Sequence, residues 1–390
     1  MSNNPHASHW NLAQGVNFLN HGSFGAVPRE VEAVQNEFQH RANTNPNRWF
    51  RFELPELLIA ARQTAAEWFG VAEEQFAFVP NASQGVITAV QALVDELTNQ
   101  SQPAHIVATS LGYGGVQRGL QRVAQRSSAT LSAVVVRYPD EITVEIIASR
   151  ISEAIQVAET PTIVVLDLIT SDTGVLLPVA EIIAKLKAKH PSIRVVIDGA
   201  HGTGMLEFPL PTGFDVWVGN FHKWMCSPRP SAGLVCANRE IAQLMAPLAP
   251  SWDYELGFPV SFDWQGTSDY SAYLATPRAI EFQQQWTYAE RNSHNTQVVD
   301  AAAKLLRDFW EVDPHVEPTL EAPWMRMVQL PIPAPLSRPE CNELIRKASV
   351  ELNTETTVMS VGGHNYVRLS AHMYNELSDY ERLADLPHLA

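Results

Sequence analysis

Val196 to Trp224 reads VIDGAHGTGMLEFPLPTGFDVWVGNFHKW, and the fold is decided by how its two apolar runs end. Ile193–Ile197 leads into Asp198 and Gly199; Asp215–Val218 leads into Gly219-Asn220-Phe221-His222-Lys223-Trp224. Short apolar runs closed by glycine read as buried strands that deliver a side chain to a sheet edge. Two neighbouring strands of this kind present Asp198 and Lys223 at the same edge.

An acid and a lysine so placed suit pyridoxal 5′-phosphate. The lysine condenses with the aldehyde, and the acid keeps the pyridine nitrogen protonated so that the ring accepts electrons. The same two residues read equally well as a solvated lysine and a helix cap, so the choice falls to the rest of the chain.

Working outward, five more strands are expected: Gln75–Val79, His105–Thr109, Leu131–Val136, Thr162–Asp167 and Gly233–Ala237. Helical spacing separates most of them. This alternation predicts an α/β fold with a seven-stranded, mostly parallel sheet covered on both faces. Ligands in such sheets sit beyond the carboxyl ends of the strands, where Ser83, Tyr113, Asp167, Ser171, Asp198 and Lys223 all fall. From about Pro277 the pattern changes to a smaller α+β unit, with a helix from Pro277, strands Met325–Leu330, Val350–Met359 and Asn365–Ser370, and a final helix. The expected boundaries are 15–275 for the large domain, with 1–14 and 276–390 forming the small one.

Three loops carry candidate site residues. Asn81-Ala82-Ser83 joins a strand to a helix, where free N–H groups and the helix dipole favour an anion, although Ser83 is also an ordinary N-cap. In Leu111-Gly112-Tyr113-Gly114-Gly115 the flanking glycines let the Tyr113 ring lie on an aromatic ligand; a core or interface tyrosine is the plainer alternative. Phe18-Leu19-Asn20-His21-Gly22-Ser23-Phe24-Gly25-Ala26-Val27-Pro28 is a loop suited to close approach by a ligand, or a turn into the helix that Pro28 opens. Arg48-Trp49-Phe50-Arg51 offers either a pocket for an anionic substrate or plain core packing flanked by surface arginines.

Composition narrows the classes. The 390 residues are 45% hydrophobic and 18% charged, with a net charge of -15, which suits a globular protein and gives nucleic acid no basic face to bind. The start, MSNNPHASHW, lacks the basic and apolar regions of a signal peptide, and no apolar run is long enough to span a bilayer. Cys226, Cys236 and Cys341 form no paired motif, and the 13 histidines show no metal-binding spacing. A cytoplasmic, reducing setting and no metal are expected.

Taken together, the motifs resemble aminotransferase class V, fold-type I pyridoxal-phosphate enzymes, and within it the isopenicillin N epimerase-like branch. The likeness runs from about Phe18 to Asn375 and rests on LNHGSFGAVP, the Asp198-Gly-Ala-His201 segment and NxHKW. It implies the aspartate aminotransferase-like fold. Lys223 would be the cofactor-linked lysine and Asp198 the pyridine partner. His201 and Ser171 would touch the ring oxygen and Tyr113 would stack on the ring. Asn81, Ala82, Ser83, Asn220 and His222 would hold the phosphate. Thr267, in Gly266-Thr267, would reach it across a homodimer interface. Arg368, in Val367-Arg368-Leu369-Ser370, would grip the substrate carboxylate, with Asn20, His21, Ser23 and Arg48 shaping the rest of the substrate site.

The expected chemistry is removal of the α-hydrogen of an amino acid by Lys223. Reprotonation gives epimerisation, loss of a β-sulfur group gives C–S cleavage as in lyases acting on S-substituted cysteines or their sulfoxides, and proton transfer to the cofactor gives transamination. A non-catalytic, cofactor-binding role is the alternative of another class. Epimerisation needs an acid opposite Lys223, for which Tyr113, His21 and His201 are the candidates. In relatives a histidine is expected beside the acid of Asp167-Leu168-Ile169-Thr170; here leucine stands there. Cysteine desulfurase chemistry needs a mobile loop cysteine, which neither Cys226 nor Cys341 resembles.

Overall fold

The computed structural model describes residues 4–158, 160–314 and 317–390. A two-residue strand, β1 (Asn17–Phe18), precedes a run of helices that includes Arg29–Thr44 and Leu54–Phe69. The central sheet is then built from β2 (Phe76–Val79), β3 (His105–Thr109), β4 (Thr130–Val134), β5 (Thr162–Asp167), β6 (Arg194–Asp198), β7 (Val216–Asn220) and β8 (Ala232–Cys236). Their order is β2-β8-β7-β6-β5-β3-β4. β8 runs antiparallel to both neighbours, and every other adjacent pair is parallel.

The apolar runs are unbroken because both faces of the sheet are covered. In β6, Val195 and Ile197 enter the core on one face while Val196 enters the core on the other. A strand covered on both sides has no polar face to show, the usual pattern of parallel sheets between helices. In β5 and β6 the polar residues come only at the ends, and the closing acids, Asp167 on β5 and Asp198 on β6, are partners in register.

The smaller unit has β9 (Met325–Gln329), β10 (Thr354–Glu355), β11 (Thr357–Val361) and β12 (His364–Ser370), with β12 central and antiparallel to β11 and β9. β10 pairs in parallel with β1, and Leu19 joins Val299, Leu306, Leu344 and Tyr380 in this unit's core. The start of the chain is thereby tied to its last quarter. Residues 1–3, expected with the small domain, lie outside the described residues, as do 315 and 316 within the 276–390 span.

Most strands lie within two residues of the ranges expected from the sequence, and two boundaries differ more widely. The helix expected from Pro277 begins at Ser271 and carries Pro277 inside it; a second helix, Tyr288–Trp310, starts where Thr287 and Glu290 form a capping box. The strand expected from Val350 is shortened because the helix Arg338–Glu351 runs through that position.

Candidate active site

Asp198 and Lys223 come to one edge because β6 and β7 are parallel neighbours. Asp198 is the buried last residue of β6, and its Oδ1 accepts the Ala200 N–H at 3.0 Å. Burial raises its pKa, against the backbone hydrogen bond and the charge of Lys223. Asp167, beside it on β5, is raised further, by burial and then by the charge of Asp198. Lys223 follows the end of β7 by three residues and is half-buried. Burial and the nearby Arg368 guanidinium push its amine down to about 7, with Asp198 opposing.

His201 is buried with Nε2 3.1 Å from Lys223 Nζ, and its Nδ1 accepts the indole N–H of Trp224 at 3.2 Å. Burial, then the charges of Lys223 and Arg368, hold its pKa well below the usual histidine value.

The N-terminal loop closes over the lysine turn. Gly25 has φ +65, and a Cβ there would lie 2.2 Å from the His222 carbonyl oxygen, so only glycine lets the two backbones meet. His21 Nε2 lies 3.1 Å from the Lys223 carbonyl and must donate to it, which leaves Nδ1 to accept the Tyr374 hydroxyl at 2.8 Å. This histidine is fully buried, and burial takes its pKa down to about 3. It thus supports the backbone of Lys223 from behind.

Arg368 on β12 gathers most of the expected substrate residues. Its Nη2 donates to Asn20 Oδ1 at 3.2 Å and to Ser23 Oγ at 2.9 Å, and its Nη1 to the Ser171 carbonyl. Nε is buried without a partner. Burial lowers this guanidinium to about 10, with Asp172 opposing, so it remains the cation of the site at neutral pH.

At the anion end, helix Ala82–Asn99 begins with two of its first N–H groups already used. Asn81 Oδ1 accepts the Gln84 N–H at 2.9 Å and Asn220 Oδ1 accepts the Ala82 N–H at 2.8 Å. The Ser83 N–H is left at the positive end of the helix for an anion. His222 Nδ1 lies 2.6 Å from the Ser231 carbonyl, and burial with the neighbouring Lys223 charge brings its pKa to about 4. Tyr113 is 45% exposed just past β3, its N–H 3.4 Å from Asp167 Oδ1.

Two expected residues are not brought to this cluster within the chain. Thr267 is exposed on the loop between Trp264 and Tyr270. Arg48 is exposed and paired with Glu53 at 2.9 Å, while its neighbour Trp49 is buried in the core. Leu168, where a histidine was expected, is a buried core residue.

Three participants carried no signal of their own. Trp224 reads as a core aromatic, and nothing in the sequence sets His372 and Tyr374 behind a lysine at position 223. Cys226 Sγ lies 3.7 Å from His21 Nε2 and 3.5 Å from His372 Nε2, which resembles a metal-binding trio. The rings of His21 and His372, however, are stacked at 4.3 Å and 17°. An ion must lie in the plane of each imidazole it binds, and stacked planes share no such point at bonding distance; the trio is a packed buried cluster.

The site suits pyridoxal phosphate on three observations. A half-buried lysine has its amine pushed toward the neutral form that condenses with an aldehyde. Two buried carboxyls share an edge where a protonated pyridine nitrogen would relieve their repulsion. A helix N-terminus lies within reach of the β7 end through Asn220. L-cysteine desulfhydrase of Arabidopsis thaliana is 25% identical over 401 residues, covering 95% of this chain and 87% of that protein. Isopenicillin N epimerase of Streptomyces clavuligerus is 26% identical over 390 residues, covering 94% and 93%. A solved NifS-like protein superposes with a TM-score of 0.77 at 14% identity, covering 95% of this chain and 98% of that one. The family model for class-V aminotransferases matches residues 17–383, and the chain belongs to that family of pyridoxal 5′-phosphate enzymes.

Proposed function

We propose that the chain catalyses β-elimination from L-cysteine or an S-substituted L-cysteine, releasing sulfide or a thiol together with pyruvate and ammonia. One observation carries this choice among the reactions open to the family. Of the three candidates for a second acid, both histidines lie on the side of Lys223, where His201 touches its Nζ and His21 is bonded to its carbonyl and to Tyr374, which leaves Tyr113 alone for the opposite face. Epimerisation needs an acid on the opposite face, whereas elimination needs one base and a leaving group.

When bound, pyridoxal phosphate supplies an electron sink conjugated to the substrate's α-carbon. Arg368, steadied by Asn20 and Ser23, takes the substrate carboxylate in a two-point contact. Lys223 Nζ removes the α-proton. The Cβ–S bond breaks with its electron pair leaving on sulfur, which is protonated, and one water completes hydrolysis of the remaining three-carbon fragment to pyruvate and ammonia. In this reading Asp198 would pair with the pyridine nitrogen, Tyr113 would stack on the ring, His201 and Ser171 would serve its oxygen, and Ser83, with Asn81, Ala82, Asn220 and His222, would hold the phosphate. A homodimer that brings Thr267 to the neighbouring site belongs to the same proposal.

Of the two curated relatives, the one named L-cysteine desulfhydrase is in keeping with it, while the one named isopenicillin N epimerase, at similar identity, is in keeping with the rival reaction. All three cysteines are buried, and burial raises the thiol of Cys226, which disfavours a persulfide-forming nucleophile. The test is to supply L-cysteine, L-cystine and S-substituted cysteines to the loaded protein and measure sulfide or thiol, pyruvate and ammonia alongside product chirality. Equal amounts of pyruvate and ammonia support elimination; racemised amino acid without pyruvate would replace it with epimerisation.

A further inference from the structure

The indole of Trp224 has a role that packing does not explain. Its Nε1–H points at His201 Nδ1, 3.2 Å away, and His201 Nε2 is 3.1 Å from Lys223 Nζ. An indole nitrogen only donates. His201 Nδ1 must therefore carry the lone pair, because a protonated Nδ1 would set two N–H groups against each other. The neutral ring then bears its hydrogen on Nε2, facing the lysine. We propose that Trp224 is a positioning residue that fixes His201 in the Nε2–H tautomer, so that His201 donates to Lys223 Nζ and holds the lysine as a neutral amine.

The arrangement is held rigidly. Gly22 lies against it: a Cβ there would be 3.1 Å from Trp224 Cζ2 and 3.6 Å from His201 Cε1. Trp324 packs edge-on to Trp224 at 5.7 Å and 72°. The charged and titratable groups facing Lys223 pull in different directions. Asp198 at the end of β6 favours the ammonium, whereas Arg368 on β12 favours the amine. The half-buried His222 beside it and the buried His21 behind it are held neutral. The donated hydrogen bond adds a directional preference, since an ammonium has no lone pair to accept it. A neutral lysine is the form needed both to condense with an aldehyde and to take a proton from carbon. This role belongs to the protein's own side chains and stands whether the substrate loses sulfur or is epimerised.

The direct test is nitrogen NMR of the full-length, cofactor-loaded protein labelled at histidine, with His201→Gln identifying the signal. A hydrogen on Nε2 of His201 is expected; one on Nδ1 would overturn the proposal. The second test uses Trp224→Phe, which keeps an aromatic ring and removes the donor. The pH dependence of Lys223 acylation in the cofactor-free protein, read by mass spectrometry, should shift upward by about one unit, as expected when one hydrogen bond favouring the amine is lost. In a His201→Phe background the same Trp224→Phe change should shift nothing. An unshifted midpoint, or an equal shift in both backgrounds, would leave Trp224 as packing alone. If Trp224→Phe does not fold, the NMR measurement on the unaltered protein still decides.

Discussion

Asp167 and Asp198 stand opposite each other in register on neighbouring parallel strands, both buried and both with raised pKa. Such a pair is costly without a cation. For each acid the folded pKa is above the unfolded one, so the cost is absent below the unfolded value and grows as pH rises through the folded value. In the cofactor-free protein, Asp167→Asn should raise the melting temperature at pH 8 by more than at pH 4.5. Thermal unfolding at the two pH values measures this, and a loss of stability at pH 8 would contradict it.

Asp198→Asn should be a catalytic defect. It keeps the size of the side chain and removes the charge opposite the pyridine nitrogen. Turnover is expected to fall by about 10²–10³-fold, the range seen when one preorganised electrostatic contact is removed. Steady-state assays at saturating cofactor separate this from weaker cofactor binding.

Arg368→Lys tests the carboxylate contact. Lysine keeps a charge and loses the fork that reaches Asn20, Ser23 and the Ser171 carbonyl together. The loss in kcat/KM should correspond to about 2–5 kcal/mol, as for a disrupted buried charge contact. Unchanged kcat/KM would move the carboxylate site elsewhere.

His21 should shape the acid limb of stability. Its folded pKa of about 3 lies below the ordinary histidine value of 6.5, so the unfolded chain binds the extra proton. Stability from this group is therefore full above 6.5 and is lost as pH falls from there toward 3. His21→Leu leaves the Tyr374 hydroxyl without its partner and the Lys223 carbonyl with the Cys226 N–H alone, at a cost of about 1–3 kcal/mol, and should flatten the decline between pH 6 and 4. Urea unfolding across that range tests both parts.

Gly25→Ala should displace the lysine turn. The substitution meets positive φ and the His222 carbonyl together, and more than ~1 kcal/mol of destabilisation is expected. Cofactor affinity, measured by absorbance titration, should weaken in parallel; wild-type affinity would show that the loop moves independently of Lys223.

Much of this was legible because the sheet is covered on both sides. Runs such as Ile163–Asp167 are apolar until their last residue, so the polar end marks the sheet edge and Asp198 and Lys223 stand out. An apolar run carries no mark of direction, however, and the reversed β8 was not visible. Pro277 looked like a helix start because proline favours the first turn; the helix instead carries it inside, between the buried residues Ser271–Thr276 and the buried Ala279 and Ile280. Arg48 followed charge and proximity to an aromatic pair, but Glu53, five residues on, takes its charge at the surface. The bond from Trp224 to His201 was hidden for another reason: a tryptophan beside a lysine usually means packing, and only the nitrogen positions distinguish the two roles.

The pairing of β1 with β10, and the bond between Asn20 and Arg368 across 348 positions, set a timetable for synthesis. A ribosome can release the whole seven-stranded sheet, with Asp198 and Lys223 in place, while the opening loop still lacks the strands it docks on. Substrate recognition is therefore the last property the nascent chain acquires. A chain stopped short of Arg368 would have the lysine and its acid but no grip on a carboxylate, leaving a reactive amine without the contact that selects what reaches it.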